Sequence, residues 1–240
     1  MSISQISKRQ QTSIDRLVSH FLDNKSKELV NRCAQQVNVL FSTSEALGQH
    51  AHSMKWRIKH PEHLRDKLIR KAIECKQAHM PFDISEENLF ERITDLVGFR
   101  ILHLHTKQIE DINKIVLDLL RTERWVLIEG PTARTWDDEF RDYFHGIRVD
   151  TLDSKSMYTS VHYVFKANKH AKCACELQVR TLAEELWGEV DHKINYPHPA
   201  NSSSCREQIK VLARVTSSCS RLVDSIFHSH KEDQKITSNS

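Results

Sequence analysis

The stretch CELQVRTLAEELWGEVDHKINY, residues 175–196, sets Glu176, Gln178 and Arg180 at alternate positions and then runs into a segment bearing Glu185, Glu189 and His192. In an extended strand residues two apart share a face. Ala174, Glu176, Gln178 and Arg180 therefore point one way while Cys173, Cys175, Leu177 and Val179 point the other: one face is core and the other chemical. The run YTSVHYVFKA (158–167) repeats the division, with Val161, Tyr163 and Phe165 opposite Tyr158, Ser160 and His162. If the two runs are sheet neighbours, their polar rows lie together and form a candidate site. Cations crowd a third segment, KWRIKHPEHLRDKLIRK, with Arg57, Lys59, Arg65, Lys67, Arg70 and Lys71; on a helix Lys67, Arg70 and Lys71 share a side. The five glycines (48, 98, 130, 146, 188) never cluster, and neither a Gly-x-x-x-x-Gly-Lys nor a Gly-x-Gly-x-x-Gly pattern occurs. A nucleotide bound here would need side-chain cations, not a backbone cradle, to hold its phosphates.

Several elements must position these residues. Residues 10 to 82 are helical in pattern, with Ile14, Leu17, Val18, Phe21 and Leu22 on one face and Leu29, Val30, Val37 and Leu40 continuing the spacing. Strand-like runs follow at LVGFRILHLH (96–105) and WVLIEG (125–130), joined by the amphipathic helix around IEDINKIVLDLL, and then at YTSVHYVFKA and KCACELQVR (172–180). Thr181 and Glu184 have capping-box spacing, and Leu182, Ala183, Leu186, Trp187, Val190 and Ile194 form an apolar stripe after them. Trp187 is expected in the core and Glu185 on a solvated face. A last helix is expected from Arg206 to His228, before the polar end HKEDQKITSNS. The fold expected is α/β (α+β), a mixed sheet of about four to five strands flanked by helices. It divides into an N-terminal helical region (1–48), a central domain (49–200) and a C-terminal helix with a tail (201–240).

Composition narrows the classes. The 35 basic and 32 acidic side chains leave a net charge of +3, so no global field favours nucleic acid or membrane, and any anion site is local. No apolar run reaches membrane-spanning length, and MSISQISKRQQTS lacks the apolar middle of a signal peptide, so a cytoplasmic location is expected. The six cysteines are too sparse for a disulfide framework and are expected as thiols. A zinc module is disfavoured because Cys173 and Cys175 sit on the apolar face and no second ligand pair has zinc-finger spacing.

The motifs RIKHPEHLRDK, DLVGFRI, YTSVHYVF and ELQVRT followed by WGEVDHKINY resemble, in order, those of the RelA/SpoT-type alarmone synthetase domain, over about residues 50 to 200. They are similar to its Arg-x-Lys basic helix, its Asp-bearing first strand, its guanine loop and its Glu-x-Gln-x-Arg-Thr strand. The resemblance implies a nucleotidyltransferase-like fold and transfer of the β,γ-pyrophosphate of ATP to the ribose 3′-hydroxyl of GDP or GTP, with AMP released. Such a reaction needs a metal bridging phosphates, cations to offset charge and an acceptor for the hydroxyl proton. By this resemblance Asp95 and Glu176 are the acids that hold Mg²⁺, and Glu176 assists the metal or draws the proton. Gln178 joins them in the catalytic set. Arg57, Lys59, Lys67 and Arg70 serve ATP, with Arg57 able to stack on adenine. Tyr158 stacks on the acceptor base, and Ser160, His162, Lys155, Arg148 and Arg180 complete the acceptor side, Arg180 alternatively organising the strand-to-helix turn.

The guanine loop departs from the family pattern. In RVDTLDSKSMYTSVHY, Met157 occupies the usual glycine position and only Lys155 is near, with Arg148 supplying further charge. The acceptor alternatives are therefore the tRNA 3′ end and adenine nucleotides, and a non-catalytic RNA-binding module is the non-enzyme alternative. The near-neutral charge and the Asp95 and Glu176 carboxylates speak against the latter. No His-Asp dipeptide of the family's hydrolase domain occurs, which points to a small, synthesis-only member. Small members often form tetramers through terminal helices, and Ile209, Val211, Leu212, Val215, Leu222, Val223 and Ile226 offer an apolar stripe for an oligomer or for core.

Overall fold

The structure, a computed structural model, describes residues 6–154, 156–195 and 202–238. Ser7 starts the first helix, α1 (Lys8–Leu22): its hydroxyl accepts from the Gln10 N–H at 3.2 Å, and the Gln10 side chain accepts from the Ser7 N–H at 3.0 Å. This reciprocal cap satisfies amides that a helix start leaves open. Asp23 caps α2 (Asn24–Ser42) by accepting the Ser26 N–H at 2.7 Å. Both helices bury most of the faces that their apolar spacing marks, including Ile14, Leu17 and Phe21 on α1 and Val30, Val37 and Phe41 on α2, whereas Leu22, at the end of α1, is exposed and Leu29 only half-buried. A short α3 (Glu45–Gly48) leads to β1 (Ser53–Ile58), and α4 (Pro61–Gln77) begins with proline at a first-turn position, where its missing N–H is harmless. Then come α5 (Leu89–Arg92), β2 (Val97–His103), α6 (Gln108–Thr122), β3 (Val126–Thr135), α7 (Asp138–Gly146) and β4 (Asp150–Asp153). The chain continues through β5 (Ser160–Lys166), β6 (Cys175–Thr181), α8 (Leu182–Asn195) and α9 (Ser203–Ser238).

The strands form one mixed sheet in the order β1-β2-β6-β5-β3-β4, parallel at β2/β6 and β3/β4 and antiparallel elsewhere. The α+β class holds, with six strands where four to five were expected. The two strands that the sequence pattern does not reveal, β1 and β4, are the sheet's edges. Edge strands keep polar side chains on an open flank, so they carry little apolar alternation. Residues 10 to 82 are therefore not helical throughout: Arg57 stands on β1 and Lys59 in the turn before α4. The third strand also outruns its sequence signal, continuing through Gly130-Pro131 to Thr135 with register shifts on either side of Glu129. Gly130 has φ +85°, and a Cβ there would strike the His162 carbonyl, so glycine alone fits this crossing.

The core lies on one face of the sheet, where α2 and α6 cover Phe99, Leu177, Val179 and Phe165. Phe41 of α2 meets the rings of Phe99 at 5.2 Å and Phe165 at 5.8 Å. The other face carries the polar rows, and α8 packs beside it against β2 and β6. A smaller cluster of Trp187, Ile209 and Ala213 joins α8 to α9, where the Trp187 indole donates to the Ile209 carbonyl at 3.0 Å. The last helix continues through residues that read as a polar tail, reaching Ser238. Its apolar stripe divides: Ile209 is buried, whereas Val211, Val215, Leu222 and Ile226 are exposed. Among the described residues no helix is long and apolar enough to cross a membrane.

Candidate active site

Strand register assembles the site. Lys55 on β1 stands beside Arg100 on β2, Arg100 beside Gln178 on β6, Gln178 beside His162 on β5, and His162 beside Thr132 on β3. The next row carries Arg57, Gly98, Glu176 and Val164. The polar rows of β5 and β6 thus do lie together. The Arg57 side chain lies over Gly98, 3.7 Å from where a Cβ would be, an ordinary contact distance.

Asp95 enters from the segment before β2. Lys59 donates to its Oδ2 at 2.9 Å, and the Lys67 ammonium lies 2.8 Å from Oδ1. Burial would raise the Asp95 pKa, but Lys67 and Lys59 outweigh it and hold the carboxyl below its usual range. For Lys59 burial prevails and lowers its pKa against the pull of Asp95. Glu176 behaves like Asp95: burial pushes it up, while His162 and then Gln178 bring it below the ordinary value. The Gln178 amide donates to Glu176 Oε2 at 3.0 Å, and His162 Nδ1 lies 3.2 Å from Oε1. Burial lowers the His162 pKa, which keeps the ring neutral at pH 7. An ionised carboxylate only accepts, so Nδ1 carries the proton and the buried Nε2, without a hydrogen-bond partner, is left as an acceptor.

Two cavities meet at these groups. One, of about 210 Å³, is lined by Lys55, Trp56, Arg57 and Arg100; the other, of about 340 Å³, by Lys67, Thr132, Arg134, Tyr158 and His162. Asp95, Glu176 and Gln178 line both. A larger cavity of about 790 Å³ lies between α2, the end of α6 and the start of β3, but its only ionisable lining group is Glu123, so size does not mark the chemistry. Tyr158 stacks on Trp187 with ring centres 6.3 Å apart and planes 12° apart. Burial raises its pKa, against a hydrogen bond from Arg134.

Asp95, Glu176, Gln178, Arg57, Lys59, Lys67, Tyr158 and His162 thus converge. Others do not. Arg70 is exposed on α4 and lines neither cavity, and Arg148 is exposed between α7 and β4. The Ser160 hydroxyl is buried and donates to the Val179 carbonyl at 3.3 Å, a bond that ties β5 to β6. Arg180 is buried in an ion pair with Glu185 and organises the turn into α8. Lys155 lies outside the described residues. Glu185 itself is only 5% exposed, not solvated, because Arg180, Arg100 at 3.1 Å and Lys55 at 3.3 Å converge on it from three strands. Lys55, Arg100 and Arg134 are site residues that the sequence reading passed over. Alternation in VGFRILH would have placed Arg100 opposite Val97, Phe99 and Ile101; Lys55 and Arg134 lie on strand segments with no such signal.

A family model described as the region found in RelA / SpoT proteins matches residues 56–201. GTP pyrophosphokinase YwaC of Bacillus subtilis (strain 168) is 26% identical over 147 residues, which are 59% of this chain and 57% of that protein. The chain thus matches little more than half of that relative's length. The small alarmone synthetase 1 of Bacillus subtilis bound to its product pppGpp has a similar fold, with a TM-score of 0.55 at 18% identity over 86% of this chain and 93% of that one. The same enzyme bound to AMPCPP gives a TM-score of 0.58 at 16% identity over 88% and 100%. With more than half of its residues matched by the family model, the chain belongs to the family of the region found in RelA and SpoT proteins.

Proposed function

We propose that the protein transfers the β,γ-pyrophosphate of ATP to the ribose 3′-hydroxyl of GDP or GTP, forming ppGpp or pppGpp and AMP. The observation that carries this reading is the meeting of two cavities at one pair of carboxylates, the layout a transfer between two nucleotides needs. The donor occupies the side of Arg57, Lys55 and Arg100, and its phosphates reach Lys67 in the second cavity past Asp95, which Lys59 and Lys67 both hold. The acceptor occupies the side of Tyr158, Arg134 and His162. The relative named a GTP pyrophosphokinase and the similar folds bound to pppGpp and AMPCPP support the same pair of substrates.

In the reaction the 3′-oxygen attacks the β-phosphorus as the bond from that phosphorus to the oxygen bridging the α-phosphate breaks, and its electrons leave with AMP. Glu176 takes the hydroxyl proton; a carboxylate of lowered pKa suffices when bond breaking runs ahead of bond making. His162 and Gln178 fix that carboxylate. Asp95 and Glu176 suit Mg²⁺: both are hard oxygen donors held ionised, and they line one shared space. No group of three or more His, Cys, Asp or Glu able to hold a metal occurs among the described residues, so phosphate oxygens and water would complete the sphere, as Mg²⁺ commonly requires. When bound, Mg²⁺ would neutralise charge on the transferred phosphates.

The test is incubation with γ-labelled ATP and Mg²⁺, in parallel with GDP, GTP, ADP, ATP and deacylated tRNA. Label in ppGpp or pppGpp, lost on chelation, is expected. Label only on tRNA or adenine nucleotides overturns the acceptor, and label on none overturns the activity.

A further inference from the structure

We propose that Glu184 is a positioning residue for the acceptor: its buried carboxylate holds the backbone just behind Tyr158, while Trp187 on the same helix supports the ring. This inference rests on the reading of Tyr158 as the acceptor's stacking partner. Glu184 Oε2 accepts the Thr159 N–H at 3.0 Å. Its own N–H is held by the Thr181 hydroxyl at 3.2 Å, which completes half of the expected capping box; the carboxylate is spent on the loop and does not return to the Thr181 amide. Thr159 is fixed from its other side too, its hydroxyl lying 2.9 Å from that of Thr135 at the end of β3. The Thr135 hydroxyl accepts the Asp137 N–H at 3.2 Å, and the Asp137 carboxylate accepts from Ser217 at 2.7 Å and from Arg221 on α9. A buried polar chain therefore runs from α9 through the cap of α7 and the end of β3 to Thr159. Glu184 and Trp187 close it from α8.

The hold responds to protonation. A carboxylate accepts an amide hydrogen bond more strongly than a carboxylic acid does. Burial pushes Glu184 up to about 7, with the Thr159 amide and Arg180 pulling down and Asp137 pushing further up. The charged and titratable groups around it are Arg180 of β6, Asp137 before α7 with its partner Arg221 of α9, and His103 of β2. Burial lowers His103 to about 4, so it stays neutral in the working range. The Glu184 Oε1 atom is buried without a hydrogen-bond partner. As pH rises through about 7 the grip on Thr159 strengthens, and acceptor binding should tighten.

The experiment compares wild type, Glu184→Ala and Glu184→Gln by KM for acceptor and for ATP, and by amide hydrogen exchange over residues 156–162. Loss of a charge-assisted bond should raise the acceptor KM of the Ala variant about tenfold, with the ATP KM within about twofold. Exchange in 156–162 should quicken while that of β2 does not change. Glu184→Gln, which keeps an acceptor oxygen, should retain the protection. Its acceptor KM should match the wild type's value at pH 6 and lack the several-fold fall that the wild type shows by pH 8. Parallel rises in both KM values, unchanged exchange in the Ala variant, or the same pH slope in wild type and Gln variant would each overturn the inference. Absence of transfer to GDP and GTP by the wild type would instead sink the proposed function, and the exchange comparison would still judge the hold of Glu184 on the Tyr158 loop.

Discussion

Met157 has φ 55°, in the left-handed region where side chains other than glycine's are strained by about 1–2 kcal/mol. The motif that this loop resembles has glycine there, so the substitution keeps the turn and offsets its strain by packing the Met157 side chain against the cluster of Tyr158 and Trp187. In the proposed reaction the neighbouring Tyr158 is the residue on which acceptor binding turns. Tyr158→Ala should remove a stacking contact of about 1–3 kcal/mol, raising the acceptor KM roughly 5- to 150-fold with little change in ATP affinity. An equal loss of ATP affinity, by titration calorimetry, would mean that the loop serves the donor. Asp95→Asn and Glu176→Gln should each lower kcat by about 10²–10³-fold or more while circular dichroism shows the fold retained. Near wild-type turnover in either variant would remove it from the catalytic role. Of the two, Asp95→Asn should be the less stable, because it leaves Lys59 and Lys67 without their shared counter-ion.

The turn from β6 into α8 carries the element-scale consequences. Glu185 binds Arg180, Arg100 and Lys55, and Arg100 also meets Glu189 at 2.9 Å, so one helix face is tied to three strands by charge. Removing one member of a buried pair leaves the other charge uncompensated. Glu185→Ala should therefore destabilise the protein by about 3–5 kcal/mol, measured by chemical denaturation, whereas Glu189→Ala, at the exposed end of the network, should change stability by under about 1 kcal/mol. Similar losses at the two positions would contradict the burial argument. Gly188, inside α8, faces the same ion pair. A Cβ there would stand 2.8 Å from the Arg180 guanidinium, which is why a residue usually avoided inside helices is found in this one. The opposite end of the site depends on Gly130, which lets β3 cross close to β5 and brings Thr132 and Arg134 into the cavity.

For the whole molecule, Glu184 and His103 make stability respond to pH in opposite senses. Glu184 is raised from 4.5 to about 7, so across that window the unfolded chain ionises first and the folded state loses stability as pH rises, by about 3 kcal/mol in all. His103 is depressed from 6.5 to about 4; its contribution is complete above 6.5 and is lost as pH falls toward 4. The two slopes offset each other in wild type. Glu184→Gln should remove the first and show the second: relative to wild type it should gain stability between pH 5 and pH 8, read as a difference in Tm. A constant Tm difference at both pH values would count against the shift. Much of this molecule was legible in the chain itself. The alternation in residues 172–180 and 158–167 marked the core face and the chemical face, and the ordered motifs indicated the family, because side-chain period and residue type are local properties. Edge strands β1 and β4, the passage of β3 through Gly130-Pro131, and the burial of Glu185 and Glu184 were not legible. An edge strand has no apolar code of its own, a bulge hides a strand inside a turn signal, and a carboxylate reads as solvated until the cations and amides that receive it arrive from other strands. Tertiary structure alone brought Lys55, Arg100, Gln178, His162 and Thr132 into one row, since strand order and register are set by packing across the sheet and not by any segment alone.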